Sequence, residues 1–298
     1  MRYSRFKRKR SNQRYAVFFL ITLLIIAVIY IASAGTIGKF ISGIISPILA
    51  SFDKGEGNET PEPDGLDEPD LAIPDNNPAE DAVKITDTIE TSPVSLCAIQ
   101  MGAFTDEANA VSYGDEIKSK GAAGYVIEDT FYRVLAMGYM SEADARTVRD
   151  QLKSDGIESH IFKISAPGVK MQISATEANV NAIKDAFATW EDKFREMETI
   201  IFKLDKGQIT SADAYDTIEA SNITVTDIYN ELTGLAAKQE NNKILDGLAE
   251  LYKNTGNAFK DIMALNSSDL VAFSSKIKYT YIDMLMEYKQ YMEKITGS

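Results

Sequence analysis

The residues that could carry out nucleophilic or metal-dependent catalysis are few in this sequence. It has one histidine, His160, and one cysteine, Cys97, among 298 residues. A Ser-His-Asp triad could be built only around His160, and zinc sites that need two or more histidines are excluded. Cys97 has no partner for an internal disulfide and is most simply a small apolar residue at the start of a strand, with a redox or cross-linking role as the alternative.

Carboxylates are abundant, so the two-carboxylate chemistry of glycosidases is not excluded by counting. The acidic residues fall at helix starts and on polar faces, where capping and solubility account for them. Gly102 and Gly138 are isolated turn glycines and do not form a phosphate-cradling loop. We therefore predict that the protein is not an enzyme and has no metal site and no cofactor.

Sugar binding is a different kind of chemistry, which needs amides, guanidinium groups and aromatic rings on one surface. Gln100 lies on the opposite side of its predicted strand from Ile99 and Met101. Phe131 and Arg133 alternate in the same way along a later strand. These three side chains are predicted to share the open face of a sheet.

Those strands belong to a segment that nearly repeats itself. QMGAFTDEANA, residues 100–110, returns as AMGYMSEADA, residues 136–145, and each copy closes with Lys-Ser-x-Gly. Each copy predicts a strand ending at a Met-Gly turn, a helix and a second strand, the helix being capped by Thr105 or Asp106 in the first copy and by Ser141 in the second. The predicted fold class is therefore α+β, a four-stranded antiparallel sheet with both helices on one side and the other face open.

This pattern resembles the SPOR domain, the sporulation-related repeat of bacterial cell-envelope proteins. The resemblance is carried by QMGAF and DEANA, by YRV at residues 132–134 and by the second EADA with its Lys-x-x-Gly close. It implies a ferredoxin-like domain at residues 94–167 that binds peptidoglycan, in particular glycan strands stripped of their stem peptides. It also implies recruitment to the division or sporulation septum.

The family's binding residues can be carried over position by position. Its glutamine matches Gln100, its arginine matches Arg133, and Phe131 stands where an aromatic residue is often found. Phe104 and Tyr139 complete the predicted glycan-binding set.

Two departures from the family pattern lead us to expect a different affinity or preference. Ala103 replaces a small polar residue, and the second copy reads MGYM where a Gly-Pro-Phe turn is common.

Each of these residues also has a purely structural interpretation. Gln100 could merely tolerate solvent, Phe104 could pack beneath the turn, and Arg133 could pair with Glu128 or Asp129. Tyr125 and His160 are further candidates for the binding face.

The N-terminal region predicts a membrane anchor. Residues 15–34 carry no charge and are long enough to cross about 30 Å of hydrocarbon. The basic tail, residues 1–14, contains no acid, so the positive-inside rule places it in the cytoplasm and the rest of the chain outside. A cleaved signal peptide is the alternative, because Ala32-Ser33-Ala34 fits a cleavage site. Residues 35–52 are predicted to be an apolar membrane-proximal segment.

Residues 53–93 are rich in proline and acids, and they predict a disordered linker. The chain has a net charge of −13, and the segment after the anchor is acidic throughout. This argues against nucleic-acid binding, which needs a basic face. It also argues against the RNA-recognition motif, a fold with the same order of strands and helices.

Residues 168–298 predict a helical domain. Apolar residues at helical spacing indicate a long helix after Thr176, followed by helices at 211–220, 225–238, 243–265 and 268–295. The apolar stripes are interpreted as core, and a surface for a septal protein partner is the alternative. The overall layout also resembles that of the stage II sporulation protein B family.

Three functions from different classes follow from these observations. The first is a peptidoglycan-binding septal adaptor with a single membrane span. The second is a scaffold whose helical domain recruits a partner while the SPOR-like domain only localises it. The third, a cell-wall lytic enzyme, would require an essential pair of carboxylates, and we expect none.

Overall fold

The computed structural model describes residues 84–237 and 242–297. The predicted tail (1–14), anchor (15–34), membrane-proximal segment (35–52) and most of the predicted linker lie outside the described residues. Within the part that is described, none of the helices combines the length and the apolar character needed to cross a bilayer.

The central sheet is formed by the duplicated segment. Its strands and helices, in chain order, are β2 (Val94–Phe104), α1 (Glu107–Lys118), β3 (Tyr125–Glu128), β4 (Tyr132–Tyr139), α2 (Glu142–Ser154) and β5 (His160–Ala166). The strands pair in the order β3-β4-β2-β5, and all pairs are antiparallel. The predicted α+β class with a four-stranded antiparallel sheet is confirmed.

Both helices of the sheet domain begin at side-chain caps. Asp106, rather than Thr105, accepts a hydrogen bond from the Asn109 backbone N–H at 3.0 Å. Ser141 accepts one from the Asp144 N–H at 3.3 Å. These contacts satisfy backbone donors that have no partner inside the helix, so they fix where each helix starts.

The predicted Met-Gly turns are wrong, because both strands run through these residues. Bulges shift the pairing of β2 with β4 between Ile99 and Gly102. A Cβ at Gly102 would lie 2.8 Å from the Phe104 ring, and one at Gly138 would lie 2.8 Å from a methyl group of Leu96. Each glycine therefore makes room for a neighbouring side chain within an extended strand.

A two-stranded ribbon extends the fold beyond the duplicated segment. β1 (Lys84–Thr91) pairs antiparallel with β6 (Val169–Thr176). The prediction that residues 53–93 form a disordered linker is therefore wrong for residues 84–91, which form β1. Alternation along β1 gives it an apolar side, on which Ile89 is buried in the core.

Four helices follow the ribbon and confirm a helical C-terminal region. They are α3 (Glu177–Asp205), α4 (Ser211–Ala236), α5 (Lys243–Met263) and α6 (Leu270–Thr296). We predicted two helices where α4 is continuous. The Thr224 and Thr226 hydroxyls bond to carbonyls one turn back, at Ala220 and Asn222, so the polar residues taken as a break are accommodated within the helix.

Stacked aromatic rings hold α3 against α6. The Trp190 ring lies 4.0 Å from that of Tyr288 and 5.2 Å from that of Phe194, and Phe194 stacks on Tyr281 at 4.6 Å. All four side chains are buried. The aromatic stripe therefore forms core, as its helical spacing indicates.

The two faces of the central sheet are covered by different helices. Gly114 of α1 lies against Val126, and Ile117 and Leu152 line the same small cavity as Ile99. Helices α1 and α2 therefore pack on the face that carries Val126 and Ile99.

The opposite face, predicted to be open, is crossed by α6, which contacts all four strands. Tyr125 on this face stacks against Tyr279 of α6 at 4.7 Å and donates a hydrogen bond to Asp283 at 2.9 Å. Leu96, Leu135 and Ile164 of the same face are buried. The helix supplies the apolar cover that these residues require, so only part of the face remains open.

Candidate functional site

A polar cluster lies at the end of the sheet face that α6 leaves uncovered. Arg133 Nη1 donates to Gln100 Oε1 at 3.0 Å, and Arg133 Nε donates to Asp129 Oδ2 at 2.8 Å. Asp129 also accepts from the Phe131 backbone N–H at 2.8 Å, across the turn that joins β3 to β4. The guanidinium plane is therefore fixed by two side chains, Gln100 on β2 and Asp129 in the turn between β3 and β4.

Two phenylalanines flank this guanidinium group. Its central carbon lies 5.0 Å from the ring centroid of Phe162 on β5 and 5.7 Å from that of Phe131. Both distances fall within the range of cation–π contacts. Phe131 is 39% exposed, so its ring is available to a ligand.

Gln100 occupies the predicted face but does not lie in open solvent. It is only 7% exposed, between its cross-strand neighbours Leu135 and His160. Its carbonyl oxygen is used by Arg133. Gln100 therefore lies on the same face as Arg133, but it is buried there and not on an open surface. Its position instead suits a residue that orients Arg133.

The electrostatics of the cluster favour a permanently charged pair. The hydrogen bond from Arg133, together with the one from the Phe131 backbone, lowers the pKa of the Asp129 carboxyl below its usual value. Asp129 therefore stays ionised to a lower pH than an unpaired aspartate, which favours its contact with Arg133. The other guanidinium N–H groups have no acceptor among the described residues and can donate to a ligand.

Two residues of the predicted set lie elsewhere. Phe104 packs against Tyr113 of α1 with ring centroids 5.6 Å apart, on the helix-covered face, as the structural interpretation anticipated. Tyr139 is 0% exposed and stacks on Phe202 of α3 at 5.7 Å. The predicted glycan contacts of Phe104 and Tyr139 are therefore wrong, because neither ring can reach a ligand bound at Arg133.

The two further candidates, Tyr125 and His160, lie in different surroundings. Tyr125 is held under α6 by Asp283 and Tyr279, so it is part of the contact between sheet and helix. His160 is exposed and pairs across the strands with Gln100, which places it beside the cluster. The cluster of Gln100, Asp129, Phe131, Arg133 and Phe162 is called the guanidinium cluster below.

Comparison with known families identifies the region that contains this cluster. Residues 95–163 match the family model of the SPOR domain. The chain carries a SPOR domain. All five residues of the guanidinium cluster lie inside the matched segment. Neither the curated proteins nor the solved structures gave a match to the chain.

SPOR domains bind peptidoglycan and are not catalytic. No group of three or more side chains that could ligate a metal comes together in the described part of this chain. Cys97 is buried in the SPOR sheet, and its burial raises the pKa of the thiol, which disfavours the reactive thiolate.

Sequence reasoning missed two members of the guanidinium cluster. Phe162 pairs with Ala98, which lies two residues before Gln100 and on the same face. Strand alternation from His160 could have found it. Asp129 was considered only as an alternative partner of Arg133, whereas the structure shows that this pairing and the Gln100 contact occur together.

Proposed function

We propose that this protein is a membrane-anchored, extracytoplasmic adaptor in septal cell-wall processes. Its SPOR domain binds peptidoglycan glycan strands that lack stem peptides. The observation that carries the proposal is the Arg133 guanidinium group, which is held by Asp129 and Gln100 between two phenylalanine rings inside a SPOR domain.

The guanidinium cluster suits the chemistry of a glycan strand. Sugar hydroxyl and acetamido oxygens accept hydrogen bonds, which the unused N–H groups of Arg133 can donate. The apolar C–H face of a sugar ring packs on a flat aromatic surface, which Phe131 offers at the rim. Because Arg133 is already fixed in position, binding requires little further ordering of its side chain.

The remaining parts of the proposal rest on the sequence. The uncharged residues 15–34 would anchor the chain, and the acidic segment that follows would extend the SPOR domain away from the bilayer. Many anchored copies facing one sacculus would raise local occupancy even if each contact were weak. Division and sporulation are both septal settings in which such an adaptor could act.

Co-sedimentation with purified sacculi tests the glycan-binding claim. The full chain should be used, because α6 packs on the SPOR sheet and contributes to its core. Sacculi are prepared with intact stem peptides and after an amidase has removed them. Arg133→Ala is compared with Arg195→Ala, a matched change of an exposed arginine on α3.

We expect binding of the wild type to increase when the stem peptides are removed. Arg133→Ala should lower it about tenfold, from the loss of a charge-assisted donor and its stacking, and Arg195→Ala should leave it unchanged. Absence of wild-type binding to both preparations would contradict the proposal. In that case the scaffold function, with a partner on α3–α6, becomes the better account.

A further inference from the structure

We propose that the guanidinium cluster recognises the N-acetyl group of a sugar in the glycan strand. This inference rests on the proposed function and specifies which chemical group of that ligand the cluster binds. A stripped strand offers two kinds of strong hydrogen-bond acceptor, the neutral acetamido carbonyl and the lactyl carboxylate. The donors, the charge and the aromatic rings of the cluster favour the carbonyl.

The cluster presents hydrogen-bond donors to a ligand, while its acceptor oxygens are already engaged. Arg133 uses its Nε–H and one Nη1–H on Asp129 and Gln100, so its Nη2 group is left to donate. The amide N–H groups of Gln100 have no acceptor in the ranges 84–237 and 242–297, and they are not fully enclosed. The Gln100 carbonyl and both Asp129 oxygens each accept a hydrogen bond within the cluster. The free groups therefore require an acceptor on the ligand.

The charge of the cluster favours a neutral acceptor. Arg133 and Asp129 lie 2.8 Å apart and balance each other. An incoming carboxylate would be attracted by the guanidinium group and repelled by the nearby Asp129, so little net attraction remains. An ammonium group, which a de-N-acetylated sugar carries, would face N–H donors and acceptors that are already engaged. A neutral carbonyl avoids both costs.

Two aromatic rings lie where the methyl group of an acetamido group would pack. The ring centroids of Phe162 and Phe131 lie 5.0 and 5.7 Å from the central carbon of the Arg133 guanidinium group. A carbonyl that accepts from Arg133 can place its methyl group on one of these rings and bury apolar surface there. The N–H of a trans amide points away from the carbonyl and can remain in water. An acetamido group thus matches both the donors and the rings, whereas a hydroxyl group matches only the donors.

The test compares three forms of glycan stripped of stem peptides. The first is native, and the second has been de-N-acetylated. The third has been de-N-acetylated and then re-acetylated with acetic anhydride, as a control for the chemical treatment. Co-sedimentation of the full chain is measured at about 0.5 M salt, which screens the attraction between the net charge of −13 and the ammonium groups of the second form.

One substitution changes the donors of the cluster but keeps its contact with Arg133. Gln100→Glu retains an oxygen that accepts from Arg133 and replaces the free N–H groups by a second carboxylate oxygen. Gln172→Glu makes the same change at an exposed position on β6, outside the residues that match the SPOR model, and is the matched control. Circular dichroism checks that each variant is folded.

We expect the wild type and Gln172→Glu to bind the native and re-acetylated forms about tenfold more tightly than the de-N-acetylated form, as for loss of one hydrogen bond from a charged donor. Gln100→Glu should reduce this preference to about twofold or less, because its carboxylate accepts from an ammonium group. If Gln100→Glu does not fold, Phe131→Ala, which removes the exposed ring, should lower the preference in its place.

Equal binding of the wild type to all three forms would overturn the inference and leave the proposed function intact. The lactyl carboxylate, which all three forms carry, would then be the recognised acceptor. A tenfold preference that survives in a folded Gln100→Glu variant would also overturn the inference. Failure of the wild type to bind native stripped glycan would instead contradict the proposed function itself.

Discussion

The two copies of the repeat place equivalent residues in opposite surroundings. After Gly102 in the first copy, Ala103 is exposed and lies near the guanidinium cluster. After Gly138 in the second copy, Tyr139 is buried under α3, and the Met140 backbone N–H donates to Glu198 at 2.8 Å. The helical region has closed one end of the duplicated sheet and left the other end available.

This difference shows that a repeat in sequence does not imply a repeated binding site. Both copies contribute similar strands and caps, but contacts from outside the duplicated segment decide which end of the sheet is covered. Burial of Glu198 under the second copy raises the pKa of its carboxyl, although the Met140 contact opposes the shift. No comparable helix packs over the guanidinium cluster in the described residues.

The largest expected effect comes from removing the buried ion pair at the closed end. Lys278 Nζ lies 2.8 Å from Asp205 Oδ1 and donates to the Gly121 carbonyl at 3.0 Å, and the two side chains are 1% and 2% exposed. Lys278→Met leaves Asp205 buried without its partner. It should lower the free energy of unfolding by roughly 3–5 kcal/mol in urea denaturation.

A double variant provides the control for this prediction. Lys278→Met combined with Asp205→Leu removes both charges and should recover much of the lost stability. If Lys278→Met alone changes the unfolding midpoint by less than the experimental error, the ion pair does not hold α6 on the SPOR domain.

The next effect compares the two repeat glycines directly. An alanine at Gly138 would press on Leu96, which is fully buried and cannot move aside. An alanine at Gly102 would press on the Phe104 ring, which is only partly buried. Gly138→Ala should cost about 1–3 kcal/mol of unfolding free energy and Gly102→Ala less than about 1 kcal/mol. Equal losses would contradict the asymmetry of the two ends.

A smaller effect is expected on binding at the open end. Phe131→Ala removes the exposed ring beside Arg133 but no buried packing. It should weaken binding to stripped glycan about 3- to 10-fold, with little change in thermal unfolding. Unchanged binding would show that the ligand does not stack on this ring.

The smallest effect is expected at Tyr139. Its hydroxyl is buried and has no hydrogen-bond partner among the described residues. Tyr139→Phe removes that unsatisfied group and should stabilise the fold by up to about 1 kcal/mol. Glycan binding should stay the same. Weaker binding by this variant would mean that the closed end takes part in recognition after all.

Much of the SPOR domain could be predicted from sequence because its signals are local. Strand alternation, the Ser141 cap and the closing glycines each act within a few residues. The same alternation predicted that Gln100 and Arg133 lie on one face, but it did not predict the hydrogen bond between them.

The packing of α6 across one face of the sheet could not be predicted in this way. It depends on α6, which lies more than 100 residues beyond the strands it crosses. The spacing of Leu270 to Ile295 indicated an apolar helix but not its partner, since core-facing and sheet-facing stripes have the same period. The burial of Tyr139 was missed for the same reason, because Phe202 belongs to a helix outside the duplicated segment.

Hydrogen–deuterium exchange of the full chain with and without stripped glycan tests the central claim most directly. The account predicts slower exchange at residues 99–104, 128–134 and 158–163, and no change at 137–141 or along α6. Slower exchange at 137–141, or faster exchange along α6 on binding, would contradict it. Either result would mean that the glycan uses the end of the sheet that α3 and α6 cover.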